Sequence, residues 1–380
     1  MKILIVAAYY WPAIEWGGPT ICITQLVDEL NKNNLKADVL TTNSRGNNNL
    51  PKEPFGLKKI NDADVFYCRA IGIKRYFFST DLTIKLFQIL KNYDVVLLQG
   101  LWTYPVFITS ILCKLLNVPY ILTPHGGLSN DSISIKKNKK RIYEFFFERH
   151  SINNADFLHF STIMEKERVP KRYSMNTSII LPNLVDYQPF FELRKQLSDD
   201  VINISFVGRI HPIKGLDILI KAFSKLLKSN NNIILNIIGP DENNYLQTLL
   251  QIIKNLGCSK NIKFLGLLDR IELLPVLSRS DIFILPSRHE NFGISVLEAM
   301  AANIPVIVTR YVPISQEIIA NKAGIVIDYS ENELFQSMNF LINNKNLREL
   351  YGINGRRIVQ EKFSKNVIIE NWKDLLMQYQ

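Results

Sequence analysis

Short unbroken apolar runs alternate with longer segments of helical period along nearly the whole chain. In the first half, runs at 3–8, 37–41, 95–99, 120–123, 157–160 and 178–181 predict buried strands. Segments around 20–31, 81–91, 105–116 and 139–152 predict helices between them. In the second half, expected strands at 202–207, 233–238, 262–265, 282–285 and 305–308 alternate with helices around 215–228, 243–255, 269–279 and 294–302. Strands that are apolar on both faces, separated by helices, predict parallel sheets covered on both sides. The alternation pauses once, at 186–200, where proline, charge and aromatics mix, and a domain linker is expected there. The expected fold is therefore α/β, two Rossmann-like domains facing a central cleft, spanning 1–187 and 199–363. Ligands are expected outside the carboxyl ends of the strands. A last amphipathic helix at 364–380 follows no strand and is free to pack back on the first domain.

Composition agrees with two cores. The chain has 380 residues, 47% of them hydrophobic and 21% charged, with 17 Gly and 16 Pro, so no region needs to be disordered on composition alone. The formal charge of +10 is unevenly placed: residues 1–190 hold 23 Lys/Arg against 16 Asp/Glu, and residues 191–380 hold 22 against 19. Its densest point is Lys136, Lys137, Lys139, Lys140 and Arg141, followed at once by an apolar, aromatic run. Such a segment attracts polyanions, whether nucleic acid or an anionic membrane, and reads equally as a solvated helix face. Cys22, Cys68, Cys113 and Cys258 lie too far apart for a zinc site or redox pair, and no disulfide framework is implied, which fits a reducing compartment. The apolar opening meets Pro12, Glu15 and a glycine pair where a signal-peptide cleavage site would stand, so it reads as a first strand. The stretch 104–123 is broken by Lys114, Asn117 and Pro119 and makes a poor transmembrane span. A cytoplasmic protein is expected, able to sit peripherally on the inner face of the membrane.

Four places could carry chemistry. The first strand–helix connection ends in Gly17 and Gly18 and lacks the GxGxxG fingerprint, and no acidic residue ends the second strand, which argues against a nicotinamide dehydrogenase. A glycine pair at a helix N-terminus lets a phosphate approach bare backbone N–H groups, and simple turn chemistry explains it as well. In GRIHPIKG (208–215), Arg209 and Lys214 bracket a short loop entering a helix, an arrangement suited to a departing diphosphate. Exposed loop cations read the same way. In HENFGISVLEAMA (289–301), Glu290 falls in the loop beyond a strand and Glu298 on the following helix, with Asn291, Phe292, Gly293 and Ile294 between them. One carboxylate can then face a sugar while the other accepts from ribose hydroxyls. Either could instead be solvated, or favour the helix dipole. Finally, TPHGG (123–127) places His125 after a strand, where it could donate to a sugar hydroxyl or phosphate.

Taken in this order, the four sites resemble a retaining nucleotide-sugar glycosyltransferase of the two-Rossmann GT-B type, specifically the large bacterial family numbered four. The resemblance runs from the glycine pair to the helix at 294–302, with Glu-x7-Glu (Glu290, Glu298) the most specific element and LPNLVD (181–186) in support. It implies that Arg209 and Lys214 grip the donor diphosphate, and that Glu298 binds the ribose. Glu290 and the backbone of Asn291, Phe292 and Gly293 would hold the donor sugar, with Gly17 and Gly18 near the phosphates and His125 at the transferring sugar. It further implies a metal-independent hexosyltransferase without cofactor that takes a UDP- or GDP-sugar. The acceptor would be a saccharide or polyprenyl-diphosphate-linked glycan, as in bacterial surface polysaccharide and lipopolysaccharide synthesis. Two departures stand out: Asn291 where many members have Gly, and Leu184 where the PNGVD-like loop usually has Gly. On this reading the basic run at 136–141 meets an anionic inner membrane surface. A nucleotide-sugar epimerase is the alternative enzyme. A nucleic-acid-binding protein would leave Glu290 and Glu298 facing phosphate, so no nucleic-acid partner is expected.

Overall fold

The computed structural model describes all residues except 14–16, 46–47, 50–54, 72–75, 130–146, 174–176, 197, 199 and 380. The basic run Lys136, Lys137, Lys139, Lys140 and Arg141 lies outside the described residues. Contacts divide the chain into two units, Met1–Val185 with Lys365–Gln380, and Asp186–Ser364.

The first unit contains, in chain order, β1 (Lys2–Ala7), α1 (Gly18–Lys32), β2 (Lys36–Thr42), β3 (Gly56–Ile60), β4 (Ala63–Cys68), α2 (Thr80–Ile89), β5 (Val95–Gln99) and α3 (Tyr104–Leu116). It continues with β6 (Tyr120–Thr123), α4 (Arg149–Asn153), β7 (Phe157–Phe160), α5 (Ile163–Glu167) and β8 (Ser178–Ile180). Its eight strands run β8-β7-β6-β5-β1-β2-β4-β3. The central strands are apolar throughout because both faces are covered. Along β1, Leu4 and Val6 enter one core with Leu86, Val106 and Leu122. Ile3 and Ile5 enter the other with Ile23, Val27 and Trp372. The strand period of two sorts neighbouring residues to opposite faces, and each fully buried Ile or Leu contributes about 1.5–3 kcal/mol.

The expected all-parallel sheet is corrected at one edge. β3 pairs antiparallel with β4 across a tight turn at Asn61, whose φ is 52°. GLKKI alternates in burial, with Leu57 and Lys59 exposed, as an edge strand does.

The second unit contains α6 (Gln188–Phe191), β9 (Ile202–Val207), α7 (Leu216–Leu227), β10 (Ile233–Ile238), α8 (Tyr245–Leu256), β11 (Ile262–Gly266), α9 (Arg270–Ser278), β12 (Ile282–Leu285) and α10 (Ile294–Ala301). After these come β13 (Val306–Thr309), α11 (Ser315–Ala320), β14 (Gly324–Ile327), α12 (Glu331–Ile342) and α13 (Lys345–Lys362). Its sheet is parallel, in the order β11-β10-β9-β12-β13-β14, which is the Rossmann order 3-2-1-4-5-6. The strand order reverses between β9 and β12, so the loops following these two strands frame the crevice where such sheets bind ligands.

The segment 186–200 is not a bare linker. Tyr187 and Phe190 are buried, and α6 packs on α10. Leu184 is also buried, in the core it shares with Ile23, Leu26 and Trp372, so the side chain that replaces the expected glycine anchors its loop. The last helix, α14 (Lys365–Leu376), returns to the first unit, where Trp372 meets the His159 ring edge-on at 4.8 Å. No helix among the described residues is long and apolar enough to cross a membrane.

Candidate functional site

The two loops at the reversal of the second sheet converge. Lys214 ends the loop after β9, and its Nζ lies 2.5 Å from Glu290 Oε1, in the loop after β12; the two side chains are only 13% and 11% exposed. Glu290 Oε1 also accepts from Ser287 Oγ at 2.8 Å, and Ser287 O accepts from Thr309 Oγ1. Arg288 N donates to Ile213 O at 2.8 Å, joining the loops through their backbones.

Glycine makes this approach possible. Gly215 has φ +71°, and a Cβ there would lie 2.2 Å from Pro286 O. Gly239 has φ +140°, and a Cβ would lie 2.0 Å from Gly208 O. Gly208 in turn leaves room beside the Lys214 stem, 3.8 Å from where its own Cβ would stand.

Arg209 is placed differently from Lys214. It is exposed and ion-paired with Glu242 at 2.6 Å, so the structure brings only one of the two expected cations to Glu290. Phe292 is also redirected. Its side chain is buried edge-on against Phe363, which leaves only its backbone to the loop. Asn291 is exposed and pairs with His289 at 3.1 Å. Gly293, at φ 89°, caps α10, which starts at Ile294 with no acidic residue in its first turn. Its dipole therefore remains available to an anion.

Glu298 lies in the second turn of α10 and accepts no hydrogen bond from the described residues. Burial pushes its carboxyl up to about 7, against a lowering pull from Arg270. A carboxylate held without donors is ready to accept from hydroxyl groups.

Sequence reasoning gave no role to Arg288, whose guanidinium lies 4.3 Å over the Tyr329 ring. Tyr329 Oη donates to Asp217 Oδ1 at 3.2 Å. Tyr329 stands 41 residues beyond Arg288, on the far side of two further strands, and no spacing pattern links them.

In the first unit the corresponding reversal lies between β1 and β5. Gly17, at φ 86°, precedes α1, which starts at Gly18; α1 has no acidic residue in its first turn. His125, in the loop after β6, has φ 49°, and its Nε2 lies 2.8 Å from Gln99 Oε1 at the end of β5. Burial, aided by His159, depresses the His125 imidazole to about 3, and it is neutral at working pH. His159 is also neutral, lowered to about 4 by burial: its Nε2 donates to Leu181 O at 2.8 Å, and its Nδ1 accepts from Thr123 Oγ1 at 2.9 Å.

Two carboxylates that sequence reasoning missed hold this loop. Glu165 is buried, and its Oε1 accepts from Gly126 N at 2.6 Å. Its Oε2 accepts from Ser161 N at 2.8 Å and Ser161 Oγ at 2.7 Å. Burial raises this carboxyl against the pull of those donors. Glu148 is buried and accepts from Trp102 N at 2.6 Å, and Trp102 Nε1 donates to Gly127 O at 3.0 Å. Glu165 follows an N-cap at Thr162, whose side chain accepts from Glu165 N at 3.0 Å, a pattern that signals a helix start rather than a loop anchor.

Comparison with known proteins matches both halves of the chain to glycosyltransferase families. Residues 16–188 match the model of Glycosyltransferase Family 4, and residues 190–358 match that of Glycosyl transferases group 1. An uncharacterized glycosyltransferase of Methanocaldococcus jannaschii, MJ1607, is 27% identical over 96% of this chain and 95% of its own length. The capsular polysaccharide biosynthesis glycosyltransferase CapM of Staphylococcus aureus is 29% identical over 49% of this chain and 47% of its own. The structure of Anabaena Alr3699/HepE in complex with UDP-glucose superposes with a TM-score of 0.77 at 17% identity and covers all of both chains. With its two halves matched in turn by these models and its α/β fold shared with GT-B enzymes, the chain belongs to the group 1 and family 4 glycosyltransferases.

Proposed function

We propose that this glycosyltransferase moves a hexose from a nucleoside diphosphate sugar to a saccharide or lipid-linked acceptor, with retention of anomeric configuration and without a metal. The Lys214–Glu290 pair at the sheet reversal carries the reading. An ammonium in a nearly dry loop, near the start of α10 where Gly293 supplies no capping side chain, is a preorganised counter-charge for a departing diphosphate. Glu290 holds that ammonium in place and presents its second oxygen to the sugar. Glu298, eight residues on, takes the ribose hydroxyls. Arg209, being exposed, can leave Glu242 for the outer phosphate.

Retention by double displacement would require a carboxylate nucleophile about 5 Å from a partner acid, and the Glu290 carboxylate is already engaged by Lys214. The acceptor therefore attacks on the face the diphosphate leaves, and the diphosphate oxygen takes the acceptor proton. His125, neutral and with its Nε2–H committed to Gln99 Oε1, brings no charge to the sugar.

The Anabaena protein is seen in complex with UDP-glucose, which makes that sugar nucleotide the first donor to try. CapM belongs to capsular polysaccharide biosynthesis, which favours a polysaccharide acceptor here. The run Lys136–Arg141 would then meet an anionic membrane that carries the acceptor. The test is incubation with UDP-glucose and lipid-linked saccharides in EDTA, with proton NMR of the product. An α-linked product that requires acceptor is expected. A β-linkage, or sugar isomerised without acceptor, would overturn the reading.

A further inference from the structure

A second cavity of about 550 Å³ opens in the second unit. Its wall includes Ile202 at the start of β9, Asp281 just before β12, and Asn303 and Pro305 just before β13. These are the amino ends of the strands, the opposite end of the sheet from the Lys214 loop. The volume is that of a small-molecule site.

Three cations line it: Lys195, Lys345 and Arg348. Arg348 is 9% exposed. Its Nη1 donates to Leu341 O and Ile342 O at 2.7 Å each, which locks the guanidinium, and its other N–H groups have no partner among the described residues. Lys195 Nζ donates to Ser280 O at 2.8 Å, and burial lowers this ammonium to about 8 although Asp281 pulls the other way. Asp281 faces all three cations and accepts from Asn203 N at 2.9 Å; Glu349 is the other acid on the wall. Among the described wall residues three cations thus stand against two acids.

Fixed cations suit an anion with several oxygens, and the volume leaves room for more than a bare phosphate.

We propose that this cavity is a second, non-catalytic binding site for a small phosphate ester, of the size of a hexose phosphate, with its phosphate on Lys195, Lys345 and Arg348. The proposal stands apart from the donor reading, since it uses none of the same residues.

Calorimetric titration with glucose 6-phosphate, inorganic phosphate and free glucose, at constant ionic strength, tests it. Saturable binding of glucose 6-phosphate is expected, with weaker binding of phosphate and none of glucose. Lys345→Gln should weaken the first two at least tenfold. Lys214→Ala should leave binding intact. No saturable binding, binding unchanged in Lys345→Gln and Lys195→Gln, or loss in Lys214→Ala would each overturn the proposal.

Discussion

At the scale of the residue, Lys214 has two effects that can be separated. It is nearly dry and its partner is Glu290, so Lys214→Ala leaves a buried carboxylate uncompensated and should cost about 3 kcal/mol in unfolding free energy. It should also lower turnover by roughly 10²-fold or more, as loss of a single transition-state donor does. The double variant Lys214→Met/Glu290→Gln removes both charges. Chemical denaturation should show its stability largely restored, while turnover remains at the level of Lys214→Ala. Recovery of turnover together with stability would reduce the pair to a structural one.

Glu298 makes a prediction in pH. Its carboxyl is raised in the folded protein to about 7, so the folded chain holds a proton that the unfolded chain releases at lower pH. Its contribution is therefore fully present below about pH 4 and is lost as pH rises through 7. Glu298→Gln should raise Tm over wild type at pH 8 by about 2 °C or more and leave it unchanged at pH 4, as read by calorimetry. His125 and His159 are shifted far below 6, so neither should add a limb to the activity profile between pH 6 and 8.

At the scale of the element, the site depends on how closely two loops approach. Gly239→Ala would place a Cβ on Gly208 O, and backbone cannot yield as a flexible side chain can. A loss of about 3 kcal/mol or more is expected, with donor affinity falling alongside stability because the loop carrying Arg209 and Lys214 must shift. In the first unit, Glu165→Gln exchanges an oxygen that accepts from backbone N–H for an amide that cannot. It should cost about 1–3 kcal/mol in denaturant unfolding and raise KM for acceptor more than for donor.

What was legible in the sequence follows from the same physics. Runs such as ILIV and VVLL announce central strands because both faces are buried. Gly56–Ile60 was missed because an edge strand keeps polar residues, and Gly324–Ile327 because its first three residues are only half-buried. Among the candidate residues, Lys214 and Glu290 stand in short loops and Glu298 on the helix that follows, at spacings the sequence displays. Glu165 and Arg288 were not legible there, since they act through partners remote in the chain: Glu165 on Gly126, Arg288 on Tyr329.

At the scale of the molecule, each unit closes its own sheet between helices, and α14 returns to the first unit through Ile368, Trp372 and Leu376. The charge of +10 also divides. Lys214 lies at the reversal of the second sheet, while Lys195, Lys345 and Arg348 gather at the other end of the same sheet.

The central claim is that a nucleoside diphosphate binds at the reversal of the second sheet, on Lys214 and Glu298. Calorimetric titration of UDP into wild type, Lys214→Met/Glu290→Gln and Glu298→Gln tests it most directly. The account predicts one saturable site in wild type, weakened at least tenfold in each variant while each retains its cooperative unfolding. Equal affinity in all three proteins would contradict it.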